Sequence, residues 1–400
     1  MKAENKDKEE IKMQSLPMFY LDQNSDKSVW KAGCSDLWQR VFLDRPEFVE
    51  LYMQSTWLHN QVLLLSSDHK KQKVVSMLHM NPYTVQIQEE SYLLHYIVGV
   101  CTEEKDRGKG YMRELLLEAL QRLRAQGEPF TYLMPAATAI YTPYDFVPVA
   151  QADQMTVPLP MRKEEECLTA WQTAEKIRVQ SLSELSETQM TVLERWIDGQ
   201  RKGIYIPHNT AYLRLQDAWM RTYGGEVLTA WCEKEPVGMT AYLWEQGEEV
   251  AVEFTELILD PLLGEHSYLA LCRRIAEDIA RQAPETERLL ARLDETWTLS
   301  EHIQAEGYDW EQVCLTMIRP LDVTWFLERL PKQDSWEPIM TFAIEDPILT
   351  ENTGCYEVTF HPEGKNRVQR SKNKTKDCLS LQSLVQYWSE KNPVYAPELV

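Results

Sequence analysis

Residues 96–111, Y-I-V-G-V-C-T-E-E-K-D-R-G-K-G-Y, set an apolar run directly against a polar turn in which two glycines flank one lysine. Ile97, Val98, Val100 and Cys101 suit a strand. Gly99 among them marks a bulge or a place where something must come close to the backbone. Gly108 and Gly110 permit a turn that leaves several N–H groups exposed at a helix start, the means by which a backbone binds an anion. Lys105, Arg107 and Lys109 add positive charge, partly offset by Glu103, Glu104 and Asp106. Met112, Leu115, Leu116, Ala119, Leu120 and Leu123 then recur at helical spacing. They predict a helix with one buried face that ends near Gly127, with Pro129 beyond it. The pattern reads strand, phosphate-sized loop, helix. It is not a dinucleotide fingerprint, which needs a third glycine and a later acid, nor a Walker loop, since no Gly-Lys-Ser/Thr follows. On local grounds a phosphate loop and a plain solvated strand-helix connection both stay open.

The rest of the chain places this stretch in an α/β frame. Trp38, Val41 and Phe42, then Phe48, Leu51 and Tyr52, predict two short amphipathic helices parted near Pro46. Residues 62–66 and 74–80 predict a hairpin, residues 83–87 and 92–101 continue its sheet, and residues 131–134 form the next strand. Residues 140–147, I-Y-T-P-Y-D-F-V, are an aromatic turn into a further strand. A polar connector and a helix start over residues 162–187 follow, and then the pattern recurs. Residues 225–232 and 237–244 repeat the hairpin, residues 250–259 repeat the strand before the loop, and residues 268–280 repeat the helix: a duplication of pattern, not of identity. The second copy reads Asp260-Pro-Leu-Leu-Gly-Glu-His266 at the loop, with one glycine, no lysine or arginine, and a proline that removes an amide donor. It should hold no phosphate, which leaves one functional site per chain. From about Met317 the register changes: a helix over 321–330, strands over 339–344 and 355–360, a basic stretch over 364–376 that reads as a lysine-protected edge strand, and a helix over 379–388.

Composition narrows the function. A chain of 400 residues is too long for one core. A net charge of −20 argues against a nucleic-acid partner and is compatible with a small-molecule amine or basic peptide. Eight cysteines lie scattered without a Cys-x-x-Cys pair, so no metal site is implied, and they read as reduced and mostly buried in a cytoplasmic protein. The first residues, M-K-A-E-N-K-D-K-E-E-I-K, carry charges where a signal peptide would be apolar. No run approaches the roughly 20 apolar residues of a membrane span.

The glycine loop resembles motif A of the GNAT acetyltransferases, Arg/Gln-x-x-Gly-x-Gly/Ala, with Lys105 in the Arg/Gln position. Beyond it, the chain resembles the Eis-like family through V-V-S-M-L-H-M-N-P-Y from Val74, the stretch from Tyr96, I-Y-T-P-Y-D-F at Ile140, D-P-I-L-T-E-N-T-G at Asp346 and the terminal P-E-L-V. That resemblance implies an α/β (α+β) fold: a charged tail (1–15), a GNAT domain (16–155), a degenerate GNAT-like domain (156–315) and a sterol-carrier-like α+β domain (316–400). The last is a likeness of shape that implies no lipid ligand.

By the same resemblance, acetyl-CoA is the co-substrate. Its pantetheine would lie on the backbone of Val98, Gly99 and Val100, and its pyrophosphate on the amides of Asp106, Arg107, Gly108, Lys109, Gly110 and Tyr111. Ala136 and Ala137 would border it where relatives often carry a polar pair. Tyr141 takes the place of the family's general acid, with Tyr144 as competitor. The terminal carboxylate, here that of Val400, takes the place of the base. Its ordinary pKa of about 3.3 to 3.7 would have to rise through partial burial. The implied activity is transfer of acetyl to a primary amine of aminoglycoside, polyamine or lysine type, by a homo-oligomer; the family often forms hexamers. Two rivals differ in class: a Fem-type aminoacyl transferase, separable by tRNA binding, and a non-catalytic CoA-binding scaffold, separable by the absence of CoA release.

Overall fold

The computed structural model describes residues 16–67, 73–159, 172–246, 250–284, 289–294, 310–362 and 364–395. The charged tail, residues 68–72, the first part of the polar connector with Cys167, and the last five residues with Val400 lie outside them. Two compact units emerge, one comprising residues up to Asn81 with Ile97–Arg122, the other Pro82–Tyr96 with Leu123–Val400.

In the first unit, β1 (Met18–Leu21) pairs antiparallel with β2 (Gln61–Ser66), and β2 with β3 (Val74–Ile87). Helix α1 (Ser28–Phe42) stops at Leu43, which adopts left-handed backbone, and α2 (Pro46–Gln54) starts on a proline at its first turn. There the missing N–H costs nothing, so the break predicted near Pro46 is sharp. The expected hairpin forms from β2 and β3. The parting of 74–80 from 83–87 does not: β3 runs unbroken through Pro82, whose fixed φ still fits an extended chain. The last half of β4 (Glu90–Thr102) is tied to β3 by Ser76 Oγ, which donates to Cys101 O at 3.0 Å, and by Glu103 N–H to Val75 O at 2.8 Å. Helix α3 (Tyr111–Ala125) buries Leu115, Leu116, Ala119 and Leu120 completely, each leucine contributing roughly 1.5–3 kcal/mol by leaving water.

The second unit continues with β5 (Phe130–Leu133), α4 (Thr138–Tyr141), β6 (Val147–Pro158), β7 (Arg178–Ser181), α5 (Glu187–Gln200), β8 (Ile204–Tyr205), α6 (Thr210–Thr222), β9 (Glu226–Cys232), β10 (Glu235–Gln246), β11 (Val250–Leu259), α7 (Gly264–Gln282), β12 (Leu289–Asp294) and β13 (Trp310–Pro320). The repeated hairpin, strand and helix are β9, β10, β11 and α7. The helix start expected at the end of the connector is that of α5; helix α6 and strands β12 and β13 carry no expectation from the sequence. The strand order β5-β13-β6-β12-β11-β10-β9-β7 sets β6 between two strands that come more than 100 residues later. The chain ends with α8 (Val323–Glu328), β14 (Ile339–Ile344), β15 (Gly354–Thr359), β16 (Arg367–Ser371), α9 (Leu381–Ser389) and β17 (Val394–Tyr395). Strands β14, β15 and β16 make a separate sheet with the basic β16 at its edge. Trp388 of α9 packs against Phe130, Trp325 and Phe326. The D-P-I-L-T-E-N-T-G turn is held by Asp346, fully buried, which accepts from Arg319 Nη2 at 2.7 Å and from Ile348 N, Leu349 N and Asn352 Nδ2. This is a mixed α/β fold with mixed sheets. No helix among the described residues is long and apolar enough to cross a membrane.

Candidate active site

From Ile97 onward the strand-loop-helix lies in the first unit. Gly99 has φ +60, and a Cβ there would meet Trp38 Cζ3 at 2.6 Å. The close approach that the glycine implied is therefore made by the chain's own indole from α1. Trp38 is fixed in turn by its Nε1 donating to Asp44 Oδ2 at 2.7 Å and by rings of Tyr52 and His79. Val98 and Val100 beside it are half-buried.

Residues Glu104–Asp106 form a single tight turn. Gly108 and Gly110 follow at φ +78 and +81 with open space where a Cβ would stand, so glycine is needed here for backbone conformation and not for room. Gly110 O accepts from Glu114 N, so a glycine, which has no side chain to fold back, precedes α3. The N–H groups of Tyr111, Met112 and Arg113 head the helix, where no intrahelical acceptor exists, and the helix dipole adds partial positive charge. The loop acids are engaged: Asp106 Oδ1 by Lys109 Nζ at 2.6 Å and Glu103 Oε2 by Arg40 Nη2 at 2.8 Å. Arg107 Nε donates to Thr102 O at 3.3 Å.

The second repeat shows the opposite arrangement at the same place. Asp260 Oδ1 accepts from Leu262 N at 2.9 Å and Leu263 N at 3.0 Å. A carboxylate of the chain thus takes the amides just ahead of α7 that would otherwise face an anion. Among the described residues no group of three or more His, Cys, Asp or Glu is placed to hold a metal ion.

The remaining site residues fall in the second unit. Ala136 and Ala137 are exposed, and Ala137 stays extended to lead into α4. Tyr141 ends α4, buried to 7% exposure, with its ring edge-on to Phe146 at 5.7 Å. Tyr144 lies on the next turn, half-buried. In the same unit β4 and β5 pair in parallel at Tyr96 and Tyr132. Next to that pair, the buried Glu128 accepts from His95 N at 2.9 Å and lies 2.6 Å from His95 Nδ1, while Thr131 Oγ1 donates to His95 O. Sequence reasoning missed this clamp, because a histidine and a glutamate 33 residues apart carry no local signal. The structure thus groups Val98, Gly99 and Val100 with residues 106–111 in one unit, and Ala136, Ala137 and Tyr141 in the other.

The first unit thus sets a strand, a two-glycine loop and a helix start in succession. The comparisons make the class specific: residues 30–149 match the family described as "Acetyltransferase (GNAT) domain". Solved structures with the same fold include a probable N-acyltransferase from Enterococcus faecalis (16% identity, TM-score 0.69, 94% of this chain and 90% of that one). Others are a GCN5-related N-acetyltransferase from Anabaena variabilis (13%, 0.65, 93% and 90%) and Eis1 from Mycobacterium abscessus (12%, 0.59, 94% and 90%). At such identities the likeness is one of fold. No curated protein matches the sequence. The chain carries a GNAT acetyltransferase domain and is an acyltransferase.

Proposed function

We propose that the protein transfers acetyl from acetyl-CoA to a primary amine of a polyamine, an aminoglycoside or a lysine side chain, by direct attack. The observation that carries this reading is the two-glycine loop ahead of α3, with Gly108 and Gly110 both in left-handed backbone, inside the matched domain. Amides of Asp106 through Tyr111 hold the pyrophosphate, with Lys109 and Arg107 adding charge, and the backbone of Val98, Gly99 and Val100 lines the pantetheine. Acetyl-CoA supplies the activated acetyl group as its thioester. Peptide N–H groups near Val98 to Val100 polarise the thioester carbonyl. The amine nitrogen forms the new C–N bond as the C–S bond breaks. Tyr141 donates its phenolic proton to the departing sulfur, and Val400, whose α-carboxylate serves as base, takes the proton lost by the amine. Ala136 and Ala137 border the cofactor without side-chain hydrogen bonds. The enzyme works in this reading as a cytoplasmic homo-oligomer, its residues 316–400 forming the sterol-carrier-like block.

The test is CoA release against a panel of polyamines, aminoglycosides and lysine peptides. Tyr141→Phe should lower kcat by roughly 100-fold or more, the usual scale of a lost general acid, with the Kd for acetyl-CoA unchanged. A tag added after Val400 should do the same. Normal turnover in both variants sinks these roles.

A further inference from the structure

The short strand β8 lies between two segments that are distant in sequence. On one side Ile204 and Tyr205 pair antiparallel with Ile87 and Gln86 at the end of β3. On the other they pair in parallel with Val394 and Tyr395 of β17. Ile204 N donates to Pro393 O at 2.9 Å, Gln88 N donates to Gly203 O at 3.1 Å, and Gln88 Nε2 donates to Asn392 Oδ1 at 2.8 Å. Asn392 is itself buried, with its Nδ2 donating to Trp388 O at 2.7 Å. At the centre stands Gly203, at φ +86, where a Cβ would lie 2.3 Å from Pro393 O. No side chain fits there while the tail is seated.

The loop that presents β8 is stapled at both ends to one carboxylate. Arg201 Nη2 bonds Glu256 Oε1, His208 Nε2 lies 2.9 Å from both oxygens of Glu256, and Gln216 Nε2 donates to Oε2 at 2.8 Å. Glu256 is fixed on the central strand β11, its side chain 13% exposed. Burial would raise its pKa, but His208 and Arg201 hold it well below the usual carboxylate range. A charged pair of this kind, removed from water and bonded on both oxygens, is rigid.

We propose that the 201–208 loop of the second repeat is a dock for the C-terminal segment, with Gly203 and Glu256 as positioning residues that fix the point from which the chain leaves Tyr395. Its catalytic consequence rests on the reading of Val400 as the base. With β17 seated on β8 the chain is fixed as far as Tyr395 and not only to the end of α9, so fewer residues separate the last fixed point from Val400. The degenerate repeat, which holds no cofactor, would then still contribute to turnover.

The experiment is hydrogen exchange of the full chain, read on peptides covering 203–206 and 390–395, together with steady-state CoA release. Gly203→Ala should speed exchange in both peptides at least tenfold and lower kcat threefold or more, with KM for acetyl-CoA unchanged. Gln88→Ala, at an exposed position, removes the bond to Asn392 Oδ1 and should do the same more weakly. Gly364→Ala, a comparable left-handed glycine with open space around it, should change neither readout and so controls for backbone strain. If exchange is unaltered in Gly203→Ala, the dock does not exist. If exchange quickens while a tag after Val400 leaves turnover normal, the dock stands and the base assignment falls. If the tag abolishes turnover while Gly203→Ala changes nothing, the base stands and the dock falls.

Discussion

His79 illustrates how much a single side chain can cost inside this fold. It is fully buried on β3, its ring set among Trp38, Tyr52 and Trp57, with Nδ1 3.0 Å from Tyr52 Oη and Nε2 without a partner. Burial, and secondarily the charge of Lys27, holds its pKa down at about 3. Unfolded, the imidazole titrates near 6.5, so over this window the unfolded chain binds the extra proton. The neutral form therefore stabilises the fold fully above about pH 6.5, and that stability is lost as pH falls toward 3, at about 1.4 kcal/mol per pH unit. Urea denaturation from pH 7 to 5 should show a loss of about 2 kcal/mol from this group. His79→Gln should flatten the slope; an unchanged slope would discount His79 as the cause. Trp38, which packs at a tilt against the same ring, also fills the space that makes Gly99 obligatory. A residue read as cofactor backbone thus answers first to the packing of its own unit.

At the scale of elements, the two glycine-loop copies differ in their glycines and in where a carboxylate bonds. Gly108 and Gly110 take left-handed backbone ahead of α3, while Asp260 spends its oxygen on the amides ahead of α7. Further along, the turn at Asp346 depends on its ion pair with Arg319, both side chains at 0% exposure. Asp346→Ala would leave a buried guanidinium without its partner, and loss of one member of such a pair costs about 3–5 kcal/mol. The fall should appear as a lower denaturation midpoint by circular dichroism; a change below 1 kcal/mol would mean that water replaces the carboxylate (a buried charge left unpaired costs several times this). The motif D-P-I-L-T-E-N-T-G thereby has a structural reason to exist apart from any catalytic one.

Over the whole molecule, the proposal that only the first repeat holds a cofactor predicts a stoichiometry: calorimetric titration should find one acetyl-CoA per chain, and two would overturn the reading of the second repeat. The elements around both loops were legible because burial periodicity and glycine placement are local properties. The alternation from Tyr96, the helical spacing after Gly110 and the recurrence from Gly225 each reflect which face a short segment hides. The parting of residues 74–80 from 83–87 failed because local pattern does not show that β3 runs on through both. What tertiary structure alone decided is pairing between segments far apart. Strand β13 enters between β5 and β6, Trp38 fills the hollow at Gly99, Glu128 clamps His95, and Glu256 staples the loop on which Val394 and Tyr395 rest. Such partners are selected by shape and by the satisfaction of buried polar groups across hundreds of residues, and those constraints leave no periodic trace in the sequence.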